Sequence, residues 1–211
     1  MKVAELWRYP VKALRGEQLK RAELTEDGVR GDRLLRVDDE RGRTITSRTA
    51  RALLALSATI GDDGEPLIDG VPWREPASLD AVRDASGPGA QLARTNGGKR
   101  FDAAPVLVLT DGGLAQLGVD SRRFRPNILL EGVDGPAERD WIGSRLRIGE
   151  ALLFVREPCE RCVVTTIDPD TLDVDPDVLR RTRLELGGIM GVYCDVLVGG
   201  KIGVGDSVEL M

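Results

Sequence analysis

Tyr193-Cys194-Asp195-Val196-Leu197-Val198-Gly199-Gly200-Lys201-Ile202-Gly203-Val204-Gly205-Asp206-Ser207-Val208-Glu209-Leu210 sets the fold class. Gly199-Gly200 and Gly205-Asp206 cut it into short aliphatic and β-branched runs, the punctuation of strands joined by tight turns. The spacing predicts a small antiparallel meander over Tyr193–Val198, Lys201–Val204 and Ser207–Leu210. The same grammar recurs upstream: Arg145–Ile148 and Ala151–Val155 fold across Gly149-Glu150, Asn127–Glu131 reads as a strand, and Val106–Thr110 is a wholly apolar one. Val3–Tyr9 and Leu19–Leu24 alternate, and Leu34–Asp38 turns at Asp39-Glu40-Arg41-Gly42 into Thr44–Thr46, a hairpin signature. Pro66–Val71 is another short strand around Asp69-Gly70. Ala50–Thr59 opens as a helical turn or runs on as a strand.

Helical signals are few. Asp111–Leu117 is a short helix with Thr110 or Asp111 as N-cap and Gly118 as stop. Asp168–Arg183 places acids early and arginines late, the polarity that suits a helix macrodipole. Loop and turn residues dominate 75–100, which puts a boundary near residue 97 and divides the chain into 1–96 and 97–211. The expected fold is mainly β (α+β): a β-barrel-like domain preceded by a smaller β domain, with a few short helices.

The 211 residues include no histidine, which excludes imidazole bases, Ser-His-Asp and Cys-His catalysis and every His-containing metal site. Three cysteines are too few for a four-thiolate zinc site or an unaided iron–sulfur cluster. A net charge of −5 and 4% aromatic residues argue against a nucleic-acid polymer as partner. No apolar run is long enough to span a membrane and no signal peptide opens the chain, so the expectation is a cytoplasmic protein with no membrane attachment. Only five of the 30 cationic residues are lysines, leaving 25 arginines, a bias that genome base composition can produce.

Chemistry concentrates in Pro158-Cys159-Glu160-Arg161-Cys162-Val163-Val164-Thr165-Thr166-Ile167-Asp168-Pro169. Its Cys-x-x-Cys pair has several readings: a dithiol redox pair, half of a metal site, one reactive thiolate beside Arg161, or two buried cysteines at a strand start. A β-branched run after it reads as strand, against the helix that a thioredoxin-like pair opens. A second set places cations at turns: Tyr9-Pro10-Val11-Lys12, Gly31-Asp32-Arg33, Ser47-Arg48 and Phe124-Arg125-Pro126-Asn127. They either converge on an anion or scatter over a charged surface. No phosphate-binding glycine loop accompanies them. Asp102 and Tyr193 are the remaining acid–base candidates, with turn or core roles as the alternative. Tyr193 and Cys194 alternate faces of one strand.

In this order the segments resemble the molybdenum-cofactor sulfurase C-terminal (MOSC) domain family with its N-terminal β-barrel-like domain. Carrying the resemblance are Tyr9-Pro10-Val11-Lys12, Gly28-Val29-Arg30-Gly31-Asp32-Arg33, Thr46-Ser47-Arg48, Arg123-Phe124-Arg125-Pro126-Asn127-Ile128, Pro158 to Pro169 and Gly203-Val204-Gly205-Asp206. Within the family, the resemblance is to amidoxime-reducing components and other reductases of N-hydroxylated compounds. It implies a molybdenum–molybdopterin cofactor with Cys162 as the metal ligand and Cys159 nearby without ligating. It also implies Lys12, Arg33, Arg48, Arg125, Asn127, Arg161 and Tyr193 on the cofactor, and Asp102 beside the metal as a proton gate. The activity so implied is reduction of small N-hydroxylated or N-oxygenated substrates, with electrons from separate flavin, haem or iron–sulfur proteins. The alternative is a module that binds the cofactor or carries sulfur without reducing substrate. Ala13, Ala103 and Ala104 depart from the hydroxylated or small polar residues frequent at those family positions.

Overall fold

The computed structural model describes residues 1–95, 100–101 and 103–211. The N-terminal part contains β1 (Lys2–Arg8), β2 (Glu17–Leu19), β3 (Arg21–Thr25), β4 (Gly28–Val29), β5 (Leu35–Asp38), β6 (Thr44–Ile45), β7 (Ala58–Ile60), β8 (Pro66–Ile68), β9 (Val71–Pro72), α1 (Pro76–Ser86) and β10 (Gln91–Arg94). There follow β11 (Val106–Thr110), α2 (Asp111–Leu117), β12 (Ile128–Glu131), β13 (Arg145–Ile148), β14 (Ala151–Glu160), α3 (Pro176–Leu186), β15 (Ile189–Val198), β16 (Gly200–Gly203) and β17 (Val208–Leu210). The fold is mainly β, with a curled eight-stranded half-barrel sheet in the order β17-β13-β14-β15-β11-β12-β1-β2 and, among the described residues, three α-helices. The boundary expected near residue 97 lies outside the described residues. The first strands are not separate from the later ones: β1 pairs with β12, and β3 with β16.

Burial explains the strand compositions. All five residues of β11 are buried because both sheet faces are covered. Val106 and Val108 join a core inside the half-barrel, while Leu107 and Leu109 pack outward with Phe124, Val178, Leu186 and Met190. A third core, built on Val11, Leu14, Leu35, Val37, Leu53, Ile68 and Val82, belongs to the N-terminal part.

Several expectations are corrected. The C-terminal stretch is three strands but no meander: β15 pairs with β14 and β11, β16 with β3, and β17 with β13. Both edges of β15 are already occupied, so β16 has no free partner there. Leu19–Leu24 breaks at Lys20 into two strands that join different sheets. Residues 75–95 are not loop: Pro76 occupies the first turn of α1, Val82 is buried against the N-terminal core, and Gly87 ends the helix. The C-terminal helix starts at Pro176 rather than Asp168, because a residue before proline disfavours the helical region and Asp175 stays extended as N-cap. Val163–Thr166 is a 3-10 turn rather than a strand. The Thr165 and Thr166 hydroxyls donate to the Cys162 and Val163 carbonyls at 3.0 and 2.7 Å and hold the turn closed.

One buried polar contact ties β11 to β15. The Glu138 carboxylate, fully inaccessible, accepts from the Thr110 hydroxyl at 2.6 Å and the Gly191 N–H at 3.2 Å. Glu138→Ala strands both donors, and chemical denaturation is expected to show a loss of about 3 kcal/mol.

Candidate functional site

The distant cationic segments meet because their backbones are laced together. Tyr9–Lys12 runs beside Arg33–Leu35: the Arg33 N–H donates to the Tyr9 carbonyl at 2.7 Å, Leu35 to Pro10 at 3.1 Å, and Lys12 to Leu35 at 2.8 Å. Beneath them lies Asp32, with no exposed surface. Its carboxylate accepts from the Tyr9 N–H at 2.6 Å, from the Arg33 guanidinium, and from Asn127 Nδ2 at 3.3 Å. Asn127 also donates to the Trp7 carbonyl at 3.3 Å, and its Oδ1 accepts from the Leu107 N–H at 3.1 Å and from Arg33 at 3.3 Å. Arg100 donates twice to the Asp32 carbonyl, at 3.0 and 2.7 Å.

Above this network opens a cavity of about 240 Å³. Lys12, Arg33, Arg48, Arg125, Asn127, Arg161, Cys162 and Tyr193 all line it, so the structure brings these expected site residues together. Asp102 lies outside the described residues. Three lining residues, Ala13, Arg33 and Arg125, hold φ of 73°, 46° and 56°. Left-handed backbone is costly for residues with a Cβ and is concentrated at functional sites.

The cysteine segment forms one wall. Pairing between β14 and β15 shifts at Val155/Glu157 and again at Pro158/Glu160, and these irregularities re-aim the end of β14. Cys159 is buried in the outer core with Phe124 and Met190. Cys162, half-buried, starts the 3-10 turn and faces the cavity. Arg161 donates from Nε to the Met190 carbonyl at 2.7 Å and from Nη1 to the Phe124 carbonyl at 3.0 Å, while its buried Nη2 has no partner among the described residues. The motif aspartate has a structural duty: Asp168 accepts from the Asp170 and Thr171 N–H groups and pairs with Arg123 at 2.7 Å. Those backbone bonds, followed by the pairing, hold its carboxyl below the ordinary value.

Electrostatically the cavity is one-sided. Among its described lining residues are seven cations against one carboxylate, Glu160. Three cations are matched from outside, Arg33 by Asp32, Arg100 by Asp27 and Arg123 by Asp168. Among the described residues Arg161 has no carboxylate partner, and exposed Arg48 makes no hydrogen bond or ion pair. Like charges that share one cavity repel, so an anion seated among them is favoured. Tyr9 stacks between Arg125 and Arg33, whose guanidinium carbons lie 4.4 and 4.8 Å from its ring centre. Burial, partly opposed by these two cations, raises its phenol well above the usual range.

Asp32, Arg100, Arg123 and Glu160 were not singled out by sequence. Asp32, Arg123 and Glu160 lie inside the motifs whose neighbouring residues carry the signal. Nothing local marked Arg100, which reaches the cavity only through the fold.

The half-barrel thus carries a cleft in which cationic side chains surround a half-buried thiol. Residues 1–105 match the MOSC N-terminal beta barrel domain and residues 108–209 the MOSC domain, and the chain belongs to the MOSC domain family. Mitochondrial amidoxime reducing component 2 of Macaca fascicularis is 29% identical over 282 aligned positions, covering 99% of this chain and 83% of the relative. The human protein of that name is 28% identical with the same coverage. These alignments exceed the 211 residues of this chain, so the relatives carry segments that it lacks. Molybdenum cofactor sulfurase of Caenorhabditis elegans is 27% identical over 86% of this chain, which spans 31% of that relative. The crystal structure of the YUAD protein from Bacillus subtilis shares the fold, with a TM-score of 0.54 at 16% identity, covering 99% of this chain and 94% of that one. No helix among the described residues is long and apolar enough to cross a membrane.

Two outcomes follow from this geometry. In cofactor-free protein, iodoacetamide is expected to label Cys162 alone before unfolding, as read by peptide mass spectrometry. Cys159 is buried, and burial followed by Asp195 pushes the Cys194 thiol upward. Asn127→Ala is expected to cost about 2 kcal/mol in denaturant titrations, because it unpairs the buried Leu107 N–H and part of the Asp32 carboxylate.

Proposed function

We propose that this chain is a molybdenum-cofactor-dependent oxidoreductase that reduces N-hydroxylated or N-oxygenated small molecules. The observation that carries the reading is a half-buried thiol, Cys162, in a cavity lined by seven cations. An anionic molybdopterin suits the donor set: the partnerless buried Nη2 of Arg161 calls for an acceptor, and arginines bind phosphate through paired N–H groups. Cys162 would ligate molybdenum, a role that suits a soft thiolate. Lys12, Arg33, Arg48, Arg125 and Arg161 would hold the anionic part, with Tyr193 on the cavity wall.

When bound, the cofactor supplies two-electron oxygen-atom chemistry. Conversion of N–OH to N–H consumes two electrons and two protons and releases water. Separate flavin, haem or iron–sulfur proteins supply the electrons. The chain's own residues bind and orient. Asp32 and Asn127 fix the Arg33 guanidinium, so that cation enters binding without further ordering cost. Asn127 spends its side-chain hydrogen bonds inside the protein and acts by positioning. Cys159 packs in the core, outside the metal's coordination. Asp102 is proposed to move protons near the metal.

The deciding measurement is molybdenum and pterin content of protein made in a host that synthesises the cofactor. Cys162→Ala is expected to lower molybdenum content by at least about tenfold, and Cys159→Ala by little. Absence of both molybdenum and pterin from wild-type protein would sink the proposal. Full loading without benzamidoxime reduction under a reconstituted electron supply would favour a cofactor-binding or sulfur-carrying module, the reading to which the sulfurase relative lends support.

A further inference from the structure

We propose that Glu160 is a specificity-determining residue that favours cationic N-hydroxylated bases over neutral ones of the same shape. The inference rests on the cofactor reading above and names the substrates that its site would prefer.

Glu160 is the last residue of β14, paired across the sheet with Ile189, and the next N–H, that of Arg161, donates to Gly188 at 2.9 Å. The strand end is therefore fixed by backbone bonds. Cys159, buried in the outer core, and exposed Glu160 both line the cavity, and Glu160 precedes Cys162 by two residues. It is the only carboxylate among the described lining residues. Seven cationic side chains share that lining, yet the Glu160 carboxylate makes no hydrogen bond or ion pair with any described residue. Among the described residues, the other acids next to this site behave differently: Asp32 and Asp168 are both spent on internal partners.

A charged group that holds nothing in the fold keeps its full acceptor capacity for a ligand. Once an anionic cofactor balances the cations, the carboxylate beside Cys162 sets the local sign of charge. An amidinium or guanidinium presents two parallel N–H donors, the fork that a carboxylate accepts in a bidentate manner. A neutral isostere offers the same shape without the charge, so the carboxylate discriminates between them by charge.

The test uses the molybdenum-loaded protein and two readouts, with metal and pterin content measured on every preparation. Calorimetry compares benzamidine with neutral benzamide. Glu160→Gln, which keeps the shape and removes the charge, is expected to lower the benzamidine-over-benzamide affinity ratio about fivefold, and Glu160→Lys to lower it further. Turnover compares a benzamidoxime carrying a 4-trimethylammonium group with its 4-tert-butyl isostere, a pair differing in a permanent charge. The kcat/KM ratio is expected to fall by a similar factor, through KM rather than kcat. Ratios unmoved in both variants at normal molybdenum content would overturn the proposal alone, leaving Glu160 a solvated surface carboxylate. Wild-type protein without molybdenum or pterin would overturn the cofactor reading and this inference with it.

Discussion

A single buried carboxylate holds the cleft together. Asp32 is surrounded by the Tyr9 N–H, the Arg33 guanidinium and the Asn127 amide, and Asn127 in turn grips Trp7 and Leu107. Those groups come from β1, the loop after β4, and the segments around β11 and β12. A carboxylate desolvated to this degree is tolerable only when charge-assisted hydrogen bonds surround it. The same requirement fixes four chain segments to one point. The cationic cavity above is therefore a consequence of how the fold satisfies one charge.

The three cysteines show how a fold distributes one chemistry unequally. Cys194 faces the half-barrel core and Cys159 the outer core, where each behaves as a small apolar residue. Cys162 follows the end of β14, where a 3-10 turn held by two threonine hydroxyls presents it to the cavity. Packing and two shifts in strand pairing thus leave Cys162 the half-buried thiol of the three, and the pattern Cys-x-x-Cys does not itself say which.

The cations divide in a similar way. Arg33, Arg100 and Arg123 are matched by carboxylates behind the cavity wall, so they stay oriented whatever occupies it. Arg161 is held by two carbonyls and still has one buried donor to spare. Preorganised donors of this kind bind an anion without the entropy loss that a free surface arginine incurs.

Sequence alone determined the strand-rich class, because glycine and aspartate turns punctuate runs whose alternation needs no partner to be read. It also determined which side chains were candidates, since thiol and guanidinium chemistry is a property of the residues. The tertiary structure decided what those residues touch. The closing stretch from Tyr193 to Leu210 was legible as three strands, yet each found a different partner, because β15 had both edges occupied. Val163–Thr166 carried strand propensity and became a turn through local hydroxyl–carbonyl bonds. Pro76 opens a stretch that reads as loop and Pro176 falls inside the helix expected from Asp168, yet each stands at a helix start. The convergence of Lys12, Arg33, Arg48, Arg125 and Arg161 on one cavity, and the isolation of Glu160 among them, depend on long-range pairing that local sequence does not encode.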